Sequence, residues 1–82
     1  MLKINELKKA IRNANKETLK GLWKHMNYSE KEDVRILCER HNVKLNTENL
    51  QRILILQPQI LKAVYKHAAF EEKEDLRVLA MR

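Results

Sequence analysis

One cysteine, one proline, one glycine and one phenylalanine are all that this 82-residue chain contains of four residue types that often shape small proteins. Cys38 stands alone, so no internal disulfide can form, and a four-ligand zinc site is hard to assemble from it and three histidines. A reducing, cytoplasmic setting fits that usage. With Gly21 as the only glycine there is no glycine-rich loop to cradle a phosphate, and a single proline leaves no turn-rich or linker-like segment. Long apolar runs are missing too. The longest, Ile53 to Leu56, falls far short of the ~20 residues of a membrane span, and the N-terminal residues show no signal-peptide core. A soluble chain with no membrane partner is expected.

Helical residues fill the space these absences leave. A third of the residues are charged, as on helix surfaces, and glycine and proline are excluded as in helix interiors. The chain also contains a copy of part of itself. Leu19 to Arg40 reads LKGLWKHMNYSEKEDVRILCER and returns forty-two residues later as LKAVYKHAAFEEKEDLRVLAMR, Leu61 to Arg82, identical at eleven of twenty-two positions without a gap. A fixed period of this size marks tandem copies of one supersecondary unit. Half of the chain is close to the limit of roughly 40 residues below which folding alone is rare, so the copies are expected to share one core.

Each copy reads as three short helices. In the first copy Ile4, Leu7, Ile11 and Ala14 make one apolar stripe, with Lys8, Lys9 and Arg12 opposite. Asn15 is positioned to cap a second helix from Lys16 to about His25, buried through Leu19, Leu22, Trp23 and Met26. Ser29 and Glu32 have the spacing of a capping box for a third helix through about His41, with Val34, Leu37, Cys38 and His41 as its stripe. The second copy is one residue shorter, a deletion expected in its first helix. Asn46 or Thr47 caps residues from about Glu48 to Leu56, and Pro58 begins the next helix, where its missing amide is harmless. Ala68, Ala69 and Glu71 replace Met26, Asn27 and Ser29, which weakens the last cap, so residues 58–82 fit either two helices or one bent helix.

The first helices of the copies diverge most. Lys8, Lys9 and Arg12 give way to Leu50 to Leu56, apolar almost all round, so the helix near Ile53 is expected inside and the first helix outside and wet. Ile36, Val78 and Ile55 are candidates for a protein or dimer interface. The predicted architecture is all-α: two tandem three-helix repeats of about 41 residues, repeat 1 (1–41) and repeat 2 (42–82), closed on each other as one pseudo-two-fold domain, or paired as a homodimer.

Charge is distributed unevenly. Residues 1–26 carry seven Lys and Arg against two acids, while residues 69–82 carry three against four. Lys8, Arg12, Lys16, Lys20 and Lys24 recur at a spacing of four, with Lys9 beside them, and Lys62 and Lys66 repeat Lys20 and Lys24. Such a strip attracts phosphates through counterion release. It also serves simply as a solvated face, and Lys20, Lys24, His25 and their counterparts Lys62, Lys66, His67 complement helix C-terminal dipoles equally well. A helix-turn-helix with Pro58 to His67 as its reading helix would present Gln59, Lys62 and Lys66, but its turn glycine is absent; Gly21 falls within a helix, where close packing is the expected reason for it. Cys38 and His41 have a metal-like spacing, yet Ala80 replaces Cys38 in the second copy, as for a small buried residue. No Ser/His/Asp arrangement or paired carboxylates point to catalysis, and no cofactor is implied. The expectation is a non-enzymatic, nucleic-acid-associated regulator, or alternatively an adaptor or inhibitor docking on an acidic protein.

Overall fold

A computed structural model describes residues 2–82, and these form six helices: α1 Ile4–Asn13, α2 Lys16–His25, α3 Tyr28–Arg40, α4 Thr47–Leu56, α5 Pro58–His67 and α6 Phe70–Ala80. No helix among them is long and apolar enough to cross a membrane. Asparagine opens three of them. Side-chain oxygens of Asn15, Asn27 and Asn46 accept from the amides of Thr18, Glu30 and Asn49 at 2.9, 2.9 and 2.8 Å, each satisfying an amide with no partner in its own helix. Pro58 stands at the first position of α5, where its fixed φ suits the helix. After α3, Asn42 takes a φ of 54°, and the amides of Asn42 and Val43 return to the carbonyls of Glu39 and Cys38 at 3.1 and 3.0 Å. This is a Schellman closure with asparagine in the left-handed position usually taken by glycine.

Two local expectations change, and one open alternative is settled. The capping box of α3 is formed by Asn27 and Glu30, two residues earlier than Ser29 and Glu32, and Tyr28 is already helical. Both registers satisfy the local spacing; the observed one turns Glu30 into the fold, where it meets His67. The residue missing from the second copy comes from a loop, because α1 and α4 are equally long while Ala14–Asn15 shrinks to Gln57. Finally, residues 58–82 form two helices. Ala68 and Ala69 are extended, and although Ala69 has no side chain to cap with, its amide donates to the Glu72 carboxylate at 3.3 Å.

One apolar cluster draws on all six helices, including Ile11, Leu22, Val34, Leu54, Leu61 and Leu76. Apart from α4 against α5, every extensive helix pairing joins one of the first three helices to one of the last three. The α4 helix is central as expected, packed on α1, α2, α3 and α5 with Leu54 at 0% exposure. The expectation for α1 is corrected: it is not an outer helix. It packs along α6 and on α4 and α5, with Leu7, Ala10 and Ile11 buried. Its lysines lie on the face left over. A single apolar stripe is enough to bury a helix, and alanine at position 10 lets a neighbour approach closely. Polar ties fix its end: Asn13 Nδ2 donates to Leu79 O at 3.1 Å, and Gln51 Nε2 to Ile11 O at 2.7 Å.

Two buried carboxylates tie the first three helices to the last three. Glu30 accepts from the Asn27 amide through Oε1 and meets His67 Nδ1 through Oε2 at 2.7 Å. Glu72 does the same with the Ala69 amide and with His25 Nδ1, at 2.9 Å. Each carboxylate thus starts its own helix and holds a histidine from the other three-helix set.

Gly21 corrects a further expectation. A Cβ built there meets nothing within 4 Å, so no close packing calls for glycine. Helix propensity then favours alanine, already present at the matching Ala63, and N-cap preference favours asparagine at Ala69, as at Asn27. Gly21→Ala and Ala69→Asn are each expected to stabilise the fold by about 0.5–1 kcal/mol. Thermal unfolding followed by circular dichroism should show both as rises in Tm of several degrees, about 4–8 °C per kcal/mol in a domain of this size.

Candidate functional site

The nominated cations occupy two kinds of surroundings. Lys9, Arg12, Lys16, Lys20 and Lys24 are exposed on α1 and α2, and Lys8 is half-buried on α1. The strip is broken at Ala14–Asn15 and comprises two rows, each advancing about 6 Å per four residues. Lys16 shares a hollow with Leu19, Thr47, Glu48 and Gln51, so one acid faces the strip at its centre. That acid is already held by Arg52 at 3.1 Å.

Pairing divides the cations into two groups. Arg35, Arg52 and Arg77 each reach a glutamate on their own helix, Glu32, Glu48 and Glu74. Among the described residues, none of Lys8, Lys9, Arg12, Lys16, Lys20, Lys24, Lys62 and Lys66 has a carboxylate within ion-pair distance. The α5 helix contains no acid at all. Glu6, Glu30, Glu32, Glu48, Glu72 and Glu74 are engaged with helix caps, histidines or arginines, while Glu17 on α2 stands exposed among the lysines.

Lys62 and Lys66 belong to a second kind of site. With Lys73 they border a groove of about 460 Å3 lined by Leu2, Ile4, Leu7 and Tyr65, between the start of α1, the middle of α5 and the start of α6. Lys73 Nζ lies 5.6 Å from the centroid of the Tyr65 ring. The matching residues of the first three helices, Lys31 and Trp23, stand 5.4 Å apart in the same relation, and Arg35 adds a second cation over that ring at 5.6 Å. Trp23 is half-buried and Tyr65 buried, and neither offers a clear ring face to a nucleobase.

The histidines of the two K-x-x-x-K-H segments are engaged within the fold, with Glu72 and Glu30, and are not turned toward an external anion. Sequence reasoning gave these histidines a part in complementing helix C-terminal dipoles and did not foresee their pairing with the glutamates. The available signal was that His and Glu recur together at the same forty-two-residue offset. Ile36 and Val78 are exposed, at 43% and 54%, and Ile55 is half-buried. Ile36 opens on a hollow with Asp33 and Arg40, and Val78 on one with Asp75 and Arg82, both of mixed charge. No group of three His, Cys, Asp or Glu is placed to hold a metal ion among the described residues, and His41 caps α3 at the surface instead of joining its buried stripe. No protein family, curated protein or solved structure matches the chain, so the site is read from its own geometry.

Cys38 is buried on α3, and desolvation pushes its thiol above the ordinary value of 9.0. A thiol kept protonated is a poor nucleophile, which suits a packing role. The folded state holds the proton more tightly than the unfolded one, so this stabilisation is complete below the unfolded-state value and is lost as pH rises past it. Cys38→Ala, which copies the alanine found at the equivalent position 80, removes that dependence. Denaturant titrations from neutral to alkaline pH should show the wild-type protein losing stability relative to Cys38→Ala as the thiol of the unfolded chain ionises.

Proposed function

We propose that this protein is a small, non-enzymatic, nucleic-acid-associated regulator of the cytoplasm, holding phosphate backbone with the cations of α1 and α2. The observation that carries the reading is the segregation of charge: Lys8, Lys9, Arg12, Lys16, Lys20 and Lys24 are without ion pairs, while Arg35, Arg52 and Arg77 are paired within their own helices. An unpaired ammonium in water costs little to bring to a phosphate, and each such contact releases condensed counterions. Of the arginine forks suited to reading guanine edges, only Arg12 lies on this surface. Backbone affinity without base readout follows. The lone buried thiol suits a reducing compartment.

We also read the body as a duplicated three-helix unit closed about a pseudo-two-fold axis, with a homodimer as its next level of assembly. Support comes from the crossed Glu30–His67 and Glu72–His25 pairs and from the matched Lys31–Trp23 and Lys73–Tyr65 contacts, all related by forty-two residues. A dimer would double the basic surface.

Fluorescence anisotropy with random duplex and single-stranded oligonucleotides, over about 50 to 200 mM salt, tests the function. Affinity is expected to fall steeply with salt. Replacing Lys8, Arg12, Lys16 and Lys20 together by glutamine should flatten the logarithmic slope by about 3.6 on duplex. Undetectable binding at the low-salt end, or an unchanged slope in the variant, overturns the reading.

A further inference from the structure

The groove between α1, α5 and α6 has a chemistry that phosphate binding leaves unused. Its floor is apolar, made by Leu2 ahead of α1, by Ile4 and Leu7 within it, and by Tyr65. Its border holds three ammonium groups, Lys62, Lys66 and Lys73, and no carboxylate lines it. Lys8 follows Ile4 by four residues and so lies on the same flank of α1, extending the basic border. Phe70, 73% exposed, precedes Lys73 by three residues and adds an apolar side chain to that side of α6.

We propose that this groove docks an acidic amphipathic helix of a protein partner. The apolar floor takes the partner's apolar stripe, at i, i+3/i+4 and i+7, while glutamates or aspartates on either side of that stripe meet the lysines. Three features select this occupant. The groove is open along one side, so it covers one face of what it binds, and the occupant must satisfy its own backbone polar groups, as a helix does. The border is of one charge sign, which repels basic segments and steers acidic ones. Tyr65 is only 9% exposed and has Lys73 over its ring, so there is no platform on which a base could stack, and a sugar-phosphate backbone has no apolar face for Leu2, Ile4 and Leu7. The corresponding place in the first three helices is different: Thr47 stands in α4 where α1 has Ile4, and Arg35 joins Lys31 over Trp23. The proposal does not depend on the phosphate-binding reading.

The test uses the full chain, isotopically labelled, titrated with a fluorescent peptide of about 16 residues carrying leucines at i, i+4 and i+7 with glutamates flanking them. A scrambled peptide of the same composition and a single-stranded oligonucleotide serve as comparisons. Saturable binding in the micromolar range is expected, with amide shifts concentrated at residues 2–7, 62–66 and 73, and weaker binding of the scrambled peptide by about tenfold or more. Lys62→Glu with Lys66→Glu, both exposed and both checked for an unchanged helical melt, should weaken peptide binding by about tenfold or more. Ile4→Gln should do so without a change of charge. No saturable binding, equal binding of the scrambled peptide, or insensitivity to both sets of substitutions overturns the proposal. So does an oligonucleotide that shifts the same groove residues and displaces the peptide, since phosphate would then be the occupant. Failure of nucleic-acid binding at α1 and α2 is read separately, from a variant with glutamine at Arg12, Lys16 and Lys20 alone, none of which lines the groove, and leaves this result unaffected.

Discussion

Glu30 and Glu72 are the only charged side chains buried among the described residues, and what they need determines how the rest is arranged. A carboxylate withdrawn from water must be met by donors or it destabilises the fold by several kcal/mol. Each finds one donor at the start of its own helix and another on a histidine contributed by the other three helices. Those two ties set α2 against α6 and α3 against α5. The middle is left to α1 and α4, the two helices whose sequences differ most. The histidine side chains remain nearly half exposed, so solvent screens the pairs, and much of their worth lies in specifying which helices meet.

That crossing explains how a chain of six short helices can fold at all. Neither set of three helices packs much against itself, and burial is obtained almost entirely from the other set. Small units cannot enclose enough apolar surface alone, and mutual burial raises the fraction removed from water. The difference between α1 and α4 lies outside the stripe they share. Leu50, Ile53 and Leu54 bury α4 at the same spacing that Leu7, Ala10 and Ile11 have on α1, and half-buried Ile55 adds a further apolar contact. With a single stripe of Leu7, Ala10 and Ile11, α1 can be buried on one side and basic on the other.

Much of this was legible in the residues themselves. Asparagine before an apolar period, proline at a helix start and the repeated anchors at Leu19, Leu22, Leu61 and Val64 each marked an element that the structure contains. These signals are local. The register of the α3 cap was not legible, because Asn27–Glu30 and Ser29–Glu32 have the same spacing and only His67, far along the chain, distinguishes them. The burial of α1 was missed for a similar reason: its lysines describe the face that remains, and α6 decides which face is covered. The groove was beyond reach too. It takes Leu2 from outside any helix, Ile4 and Leu7 from α1, and lysines from α5 and α6, and no single period in the sequence links them.

Charge sign alone cannot distinguish the partners of such a protein. The body measures 33 × 22 × 21 Å, while at physiological salt the field of any one cation fades over about 8 Å, so an approaching polyanion and an approaching acidic peptide are both drawn in. Selection has to occur at contact. Lys9, Arg12, Lys20 and Lys24 are exposed and line no apolar groove, and contact there rewards density of negative charge, which phosphate backbone would supply. At the groove, the ammonium groups of Lys62, Lys66 and Lys73 surround leucine and isoleucine, and removing that surface from water is worth about 25 cal/mol per Å2 only to an occupant with an apolar face of its own. The two proposed recognitions, of phosphate and of an acidic helix, thus differ in what lies between the charges.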